Sequence, residues 1–204
     1  MFVRSTTING DPAAIAAGID HVRDVVLPTV TAMDGCLGMD LVVDRESGRC
    51  IATTAWDSEE SLHRTAAPVT PLRNRAAEIL SGPASVEEWE VAVMHRAHTS
   101  EPGAWCRITW TRATDMDNVA DMWRANVLPR VETLDGFCSA SFMLDRASGR
   151  TVGTVVFDSR EAVEATREAA ASIREEASRM ADVEFLDVAE FELAIAHLRL
   201  PELV

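Results

Sequence analysis

Residues 25–49 read VVLPTVTAMDGCLGMDLVVDRESGR, and residues 126–150 read NVLPRVETLDGFCSASFMLDRASGR. At a constant shift of 101, Leu27, Pro28 and Val30 meet Leu128, Pro129 and Val131. Asp34-Gly35 meets Asp135-Gly136, and the run from Asp44 to Arg49 meets that from Asp145 to Arg150 with one mismatch. Average composition supplies roughly one or two chance identities in such a window. The register continues outward. Trp56-Asp57-Ser58-x-Glu60 answers Phe157-Asp158-Ser159-x-Glu161, and after a one-residue slip Trp89, Val91, Val93 and His95 answer Phe191, Leu193, Ile195 and His197. Self-similarity at this period marks a duplicated structural unit. The expected modules are residues 1–100 and 101–204.

Each copy has the same order of local signals. Phe2 to Ile8 suits a strand. Asp11-Pro12 opens a helix, because Asp caps and Pro tolerates the first helical position. Ile15, Ile19, Val22, Val26 and Val30 then recur at spacings of three and four, which gives one apolar face. Pro28 should kink or shorten that helix, and Asp34-Gly35 ends it. Cys36 to Val43 and Cys50 to Trp56 form a hairpin across Asp44 to Gly48. A second helix starts at Asp57 with Glu60 as capping partner and runs towards Leu80, with Pro68 and Pro71 interrupting its first half. Val86 to His95 alternates as a half-buried strand, with Trp89, Val91, Val93 and His95 on one face. The order is βαββαβ, the ferredoxin-like unit. Its two helices cover one sheet face and leave the other apolar face bare. The expected fold is therefore α+β, with two tandem modules packed sheet to sheet as an intramolecular dimer.

A Gly after the first helix, a D-R-x-S-G-R hairpin and an aromatic-D-S-x-E strand-to-helix junction resemble the antibiotic biosynthesis monooxygenase family, a dimeric α/β-barrel superfamily. The resemblance spans both copies and is best over Gly35 to Glu60 and Gly136 to Glu161. It implies a small-molecule pocket and, among its enzymes, cofactor-independent oxygenation of aromatic or polyphenolic substrates such as anthrones. It also implies the alternatives of a non-catalytic ligand-binding or structural protein. Haem-degrading relatives carry a Trp and a ligating His on the second helix. Those positions fall on Thr65 and Thr166, and near Arg75 and Glu176, so haem degradation is not expected and no cofactor is called for.

His95 and His197 occupy equivalent ends of the terminal strands, and imidazole can titrate near neutral pH; they are the candidate bases. Because His95-x-x-His98 on a strand places its rings on opposite faces, no metal site is read there. Trp56 and His63 flank the entry to the first copy's second helix. Arg4 and Arg107 sit on the first strands, where a buried guanidinium needs an anionic partner, whether a substrate or a carboxylate of the chain. Trp110 and Trp123 could line an aromatic pocket or pack as core. Trp56, His63, Arg4, Arg107, Trp110 and Trp123 are the candidate ligand contacts. Divergence between the copies predicts an asymmetric cavity.

Composition excludes several classes. All 19 basic residues are Arg, so no amine can form a Schiff base. Tyr is absent, which removes phenol acid, base or radical chemistry. A net charge of −14 repels nucleic acid and anionic membranes. The four cysteines lie far apart without a C-x-x-C, and read as buried thiols. No apolar run reaches a membrane span and no basic-then-apolar leader is seen, so a cytoplasmic protein is expected. The partners called for are a small apolar or aromatic molecule and, besides the intramolecular pairing, a possible second copy.

Overall fold

The computed structural model describes residues 1–198 and 200–204. The fold is α+β. Its eight strands hydrogen-bond in the order β1-β3-β2-β8-β5-β7-β6-β4, a closed antiparallel barrel. They are β1 (Phe2–Asn9), β2 (Cys36–Val43), β3 (Arg49–Trp56), β4 (Ala84–Arg96), β5 (Trp105–Ala113), β6 (Phe137–Asp145), β7 (Arg150–Phe157) and β8 (Val183–Leu198). Two compact units emerge. Unit 1 is Met1–Trp89 with Leu193–Leu200, and unit 2 is Glu90–Glu192 with Pro201–Val204. Two of the three boundaries fall inside strands, β4 and β8.

The helices repeat as the strands do. In unit 1, Asp11 accepts from the Ala13 amide at 2.9 Å and opens a 3₁₀ turn, followed by α1 (Ile15–His21) and α2 (Leu27–Thr31). In unit 2, Asp115 accepts from the Asn118 amide at 3.0 Å and starts α5 (Met116–Met122), then α6 (Leu128–Val131). The expected kink at Pro28 takes a specific form. A π turn, Val22–Val26, joins α1 to α2, and the Leu27 amide donates to the Val22 carbonyl five residues back. Trp123–Val127 repeats it ahead of Pro129, with Leu128 donating to Trp123. Proline has no N–H to donate, and its ring clashes with the carbonyl four residues earlier. Widening the preceding turn keeps the helix going through it.

The second helices correct the reading in two places. The cap is Ser58, not Asp57: its hydroxyl accepts from the Ser61 amide at 3.2 Å, and Ser159 accepts likewise from Ala162. The break does not fall at Pro68 or Pro71 either. It falls between α3 (Glu59–Arg64) and α4 (Ala66–Leu80), which contains Pro71, and identically between α7 (Arg160–Ala165) and α8 (Arg167–Met180), a stretch without proline. The shared cause is threonine. Thr65 Oγ1 donates to the Ser61 and Leu62 carbonyls at 3.0 and 2.8 Å, and Thr166 Oγ1 donates to Val163 at 3.0 Å. Such back-bonding competes with the helical ladder.

Gly35 and Gly136 end the first helices with φ of +84° and +77°. Their carbonyls accept from the Asp57 and Asp158 amides at 2.9 Å, tying helix end to strand end. A Cβ on Gly35 would lie 2.4 Å from Ser61 Oγ. Gly35→Ala is therefore expected to cost about 2 kcal/mol or more, from the left-handed backbone plus the clash. A drop in urea midpoint at unchanged slope tests this.

Strand β4 departs from simple alternation. Its register against β6 shifts between Val91 and Val93. Val91 pairs with Met143, while Val93 pairs with Phe142 and His95 with Ala140, both on the helix-covered face. The expected single stripe from Trp89 to His95 is thus divided by a bulge, which adds a residue and turns the strand over. Each unit has its own helix-covered core: Ile8, Ile15, Met39, Val43 and Leu80 in unit 1, and Val93, Val119, Phe142, Leu144 and Ile173 in unit 2. Among the described residues no helix is long and apolar enough to cross a membrane.

Candidate functional site

Each unit has a cavity between sheet and helices, at equivalent places. In unit 1 it measures about 620 Å³; its wall is formed by β1, β2, β3, the π turn and α4, and is apolar apart from Arg4, Thr6, Cys50, Thr54 and Arg73. Burial pushes the Cys50 thiol up to about 11, so this wall carries a neutral thiol at neutral pH. In unit 2 the volume is about 460 Å³. Val22 and Leu41 of the first wall are replaced, at the constant shift of 101, by Trp123 and Phe142. These two rings stack at 5.2 Å with planes 15° apart and narrow the cavity without closing it. Gly153 lies beside Trp123 where unit 1 has Ala52. The expected asymmetry is thus one of filling within a common frame.

A buried arginine stands at the polar corner of each unit. Arg4, 3% exposed, donates from Nε and Nη2 to Glu88 Oε1 at 3.0 and 2.7 Å, and from Nη2 to the Leu62 carbonyl at 2.7 Å. Arg107, 5% exposed, donates to Glu190 Oε1 at 3.1 and 2.8 Å and to the Val163 carbonyl at 2.6 Å. Leu62 and Val163 lie in the helical turn just before Thr65 and Thr166. The break in each second helix turns a backbone acceptor toward a guanidinium. One difference separates the corners. Arg107 Nη1 donates to Thr166 Oγ1 at 3.3 Å, whereas Arg4 Nη1 is buried without a hydrogen-bond partner.

The carboxylates differ as well. Glu190 also takes Arg167, whose Nη2 stands 2.5 Å from Oε2. Burial alone would raise Glu190, but hydrogen bonds from Arg167 and Arg107 and their charges hold it below the ordinary range. Glu88 has His63 in that place, with Nε2 3.3 Å from Oε2. A second arginine follows in each unit. Arg73 and Arg174 line their cavities, and burial, then the charge of Arg4 or Arg107, lowers each guanidinium, against the opposing pull of Glu88 or Glu190.

The structure therefore joins Arg4 and His63 through Glu88 on the edge of the unit 1 cavity, and places Trp123 in the wall of the unit 2 cavity. Arg107 is held in the second corner. Trp56 is fully buried and donates from Nε1 to Thr54 Oγ1 at 3.3 Å, behind the wall. Trp110 packs edge-on against Phe191 at 6.4 Å. His95 and His197 line neither cavity. The His95 ring stacks on Phe137, with Glu202 3.2 Å from Nδ1 and Glu132 3.4 Å from Nε2. His197 is exposed, and its amide donates to Asp40 Oδ1 at 2.8 Å. Among the described residues no cluster of three or more His, Cys, Asp or Glu could hold a metal ion.

Sequence reasoning passed over Glu88, Glu190, Arg73, Arg174 and the Val22/Trp123 and Leu41/Phe142 exchanges. All lie in the repeat register, so the register itself carried the signal. It also passed over His21, whose Nε2 is buried without a partner and whose counterpart Met122 lines the unit 2 cavity.

The antibiotic biosynthesis monooxygenase domain matches residues 1–66, the segment that supplies β1 to β3 and the π turn of the larger cavity. Over its whole length the chain is 50% identical to the uncharacterized protein Rv2557 of Mycobacterium tuberculosis, covering 92% of that protein. The fold matches the crystal structure of an anthrone oxidase-like protein with a TM-score of 0.67, 13% identity, and coverage of 100% of this chain and 94% of that one. Residues 1–66 are thus an antibiotic biosynthesis monooxygenase domain, and the whole chain belongs to one family with Rv2557. Within the same fold it is also similar to LmHde, a haem-degrading enzyme of Listeria monocytogenes, with a TM-score of 0.55, 8% identity, and coverage of 94% and 99%. At such identities the two structures speak for fold alone. The matched segment supplies much of the wall of the unit 1 cavity.

Acid stability follows from the carboxylates of this frame. At Asp44 and Asp145 burial opposes ionisation, but Ser47 or Ser148 and nearby backbone amides donate to the anion and leave it below the ordinary range. Glu190 is lowered too. A carboxyl lowered in the folded state stabilises fully above its unfolded pKa, near 4, and loses that contribution as pH falls through the folded value. The urea midpoint should stay level between about pH 7 and 5 and fall below about pH 4. Ser148→Ala should make the acid limb shallower.

Proposed function

We propose that this chain is a cofactor-independent monooxygenase that works in the unit 1 cavity on a small aromatic or polyphenolic substrate of the anthrone type. The observation that carries this is the largely apolar cavity of unit 1, roomier at about 620 Å³ than its ring-lined counterpart of about 460 Å³ in unit 2. An apolar recess with a few polar groups on its wall is the usual setting of a small-molecule site. The reaction needs no bound redox group. A ring-activated CH₂ gives up a proton, the resulting anion passes electrons to O₂, and the peroxide so formed expels water. One oxygen atom ends in the new carbonyl and the other in H₂O; the substrate supplies all four electrons. The chain contributes a dry pocket and positive groups near developing charge. His95 and His197, outside the wall, are given no step in this reading.

One observation favours a second reading, ligand binding without turnover. The wall of the unit 1 cavity contains no carboxylate or imidazole to act as base. A haem-degrading role has less support. Thr65 is committed to helix carbonyls, Arg75 pairs with Glu78 and Glu176 pairs with Arg130, which leaves no imidazole at the positions noted above.

An oxygen electrode with a hydroxylated anthrone at neutral pH separates the readings. The expected result is uptake of one O₂ per anthrone, with the anthraquinone as product, above the protein-free rate. A rise in Tm on adding the anthrone, with uptake no faster than background, supports binding alone and sinks the oxygenase reading.

A further inference from the structure

We infer that the unit 1 cavity takes its ligand as a monoanion, with the charged oxygen held by Arg4 Nη1 and faced by Arg73. This rests on the reading that unit 1 is the working site, and names the substrate class more narrowly: an aromatic body bearing one ionised oxygen.

Arg4 has five N–H donors in a planar fork. Nε and Nη2 are spent on Glu88 and the Leu62 carbonyl. Nη1 is buried and unspent, and Arg4 lines the cavity. Buried donors in native proteins are nearly always paired, so an orphan on a side chain that lines a cavity points to a partner that arrives with the ligand. Unit 2 provides the internal control: there the same nitrogen is satisfied by Thr166 and the cavity is narrowed by rings.

Charge accounting points the same way. Two guanidinium groups, Arg4 and Arg73, line the unit 1 cavity, and one carboxylate, Glu88, stands against them. The second oxygen of Glu88 faces His63, which adds no negative charge. One positive charge is left over beside an apolar wall, where charge interactions are strong. An anionic oxygen balances it. A phenol or enol bound there is ionised more readily than in water, which supplies the anion that oxygen chemistry needs on a wall that lacks a base.

The test uses fully oxidised three-ring probes that cannot turn over: anthraquinone, its monocarboxylate, and the phenolic alizarin, each titrated calorimetrically at neutral pH. The carboxylate is expected to bind the native chain at least about ten-fold tighter than anthraquinone. Arg4→Gln and Arg73→Gln should each remove most of that preference while leaving anthraquinone affinity unchanged. Arg73 is half-buried on α4, so its variant keeps the test open if loss of Arg4 prevents folding. The colour change of bound alizarin should occur at least about one pH unit lower than in water. A preference for carboxylate with no such shift assigns the site to permanent carboxylates; the reverse assigns it to phenolates. Equal binding of charged and neutral probes by the native chain overturns the inference, as does a preference that survives both substitutions. Either result leaves oxygen uptake to be judged separately, since these probes consume none.

Discussion

Val22→Trp combined with Leu41→Phe is expected to abolish uptake of three-ring aromatics by unit 1, with affinity falling about 100-fold or more. The pair copies what unit 2 already carries, where Trp123 and Phe142 stack within the same frame of strands and helices. A Cβ built on Gly153 would touch Trp123 Nε1 at 3.4 Å, an ordinary contact, so Ala52 need not be changed to seat the new ring. Because the rings fill existing space, the thermal midpoint should move little. Oxygen uptake, if the reaction runs where proposed, should disappear with binding. Undiminished uptake in this variant would move the chemistry out of the unit 1 cavity. The reciprocal variant, Trp123→Val with Phe142→Leu, should lose several kcal/mol, since it leaves space in a packed core.

Glu190→Ala is expected to destabilise the protein by about 3–5 kcal/mol, the usual cost of leaving a buried cation without its counter-ion. Arg107 is enclosed and donates two of its hydrogen bonds to this carboxylate, and Arg167 donates more. Arg107→Met with Glu190→Met should recover much of the loss, because the pair and not the packing is at stake. Denaturation midpoints of the single and double variants give the coupling directly. An additive double variant would show that Arg107 is held by the Val163 carbonyl and Thr166 alone.

Much of this molecule can be read from its repeated words. The paired Gly35 and Gly136, the hairpin runs from Asp44 and Asp145, and the serine-started second helices are local devices. Each acts within a few residues, so spacing alone locates it and the βαββαβ order follows. The features that eluded such reading are those set by partners far along the chain. Arg73 resembles any helix-surface arginine until Arg4 and Glu88 are brought beside it. His95 continues a clean alternation in the sequence, and only the pairing of β4 with β6 reveals the bulge that turns it to the helix side. Pro71 carries a strong propensity against helix, yet α4 runs through it, because packing of Ala76 and Leu80 holds the helix in place. The true interruption at Thr65 came from a hydroxyl competing for a carbonyl, which propensity does not register.

The wide turns ahead of Pro28 and Pro129 have a consequence for how such a chain can vary. Each adds one residue's worth of backbone to a helix whose neighbours on either side are fixed against the sheet. Deleting one residue between 22 and 26 would restore ordinary winding and leave Val30 and Gly35 in phase with the sheet, so the cost would fall on Pro28, whose ring would again meet the carbonyl four residues back. A deletion anywhere else in the same helix has no wide turn to absorb it and would rotate everything downstream by about 100°.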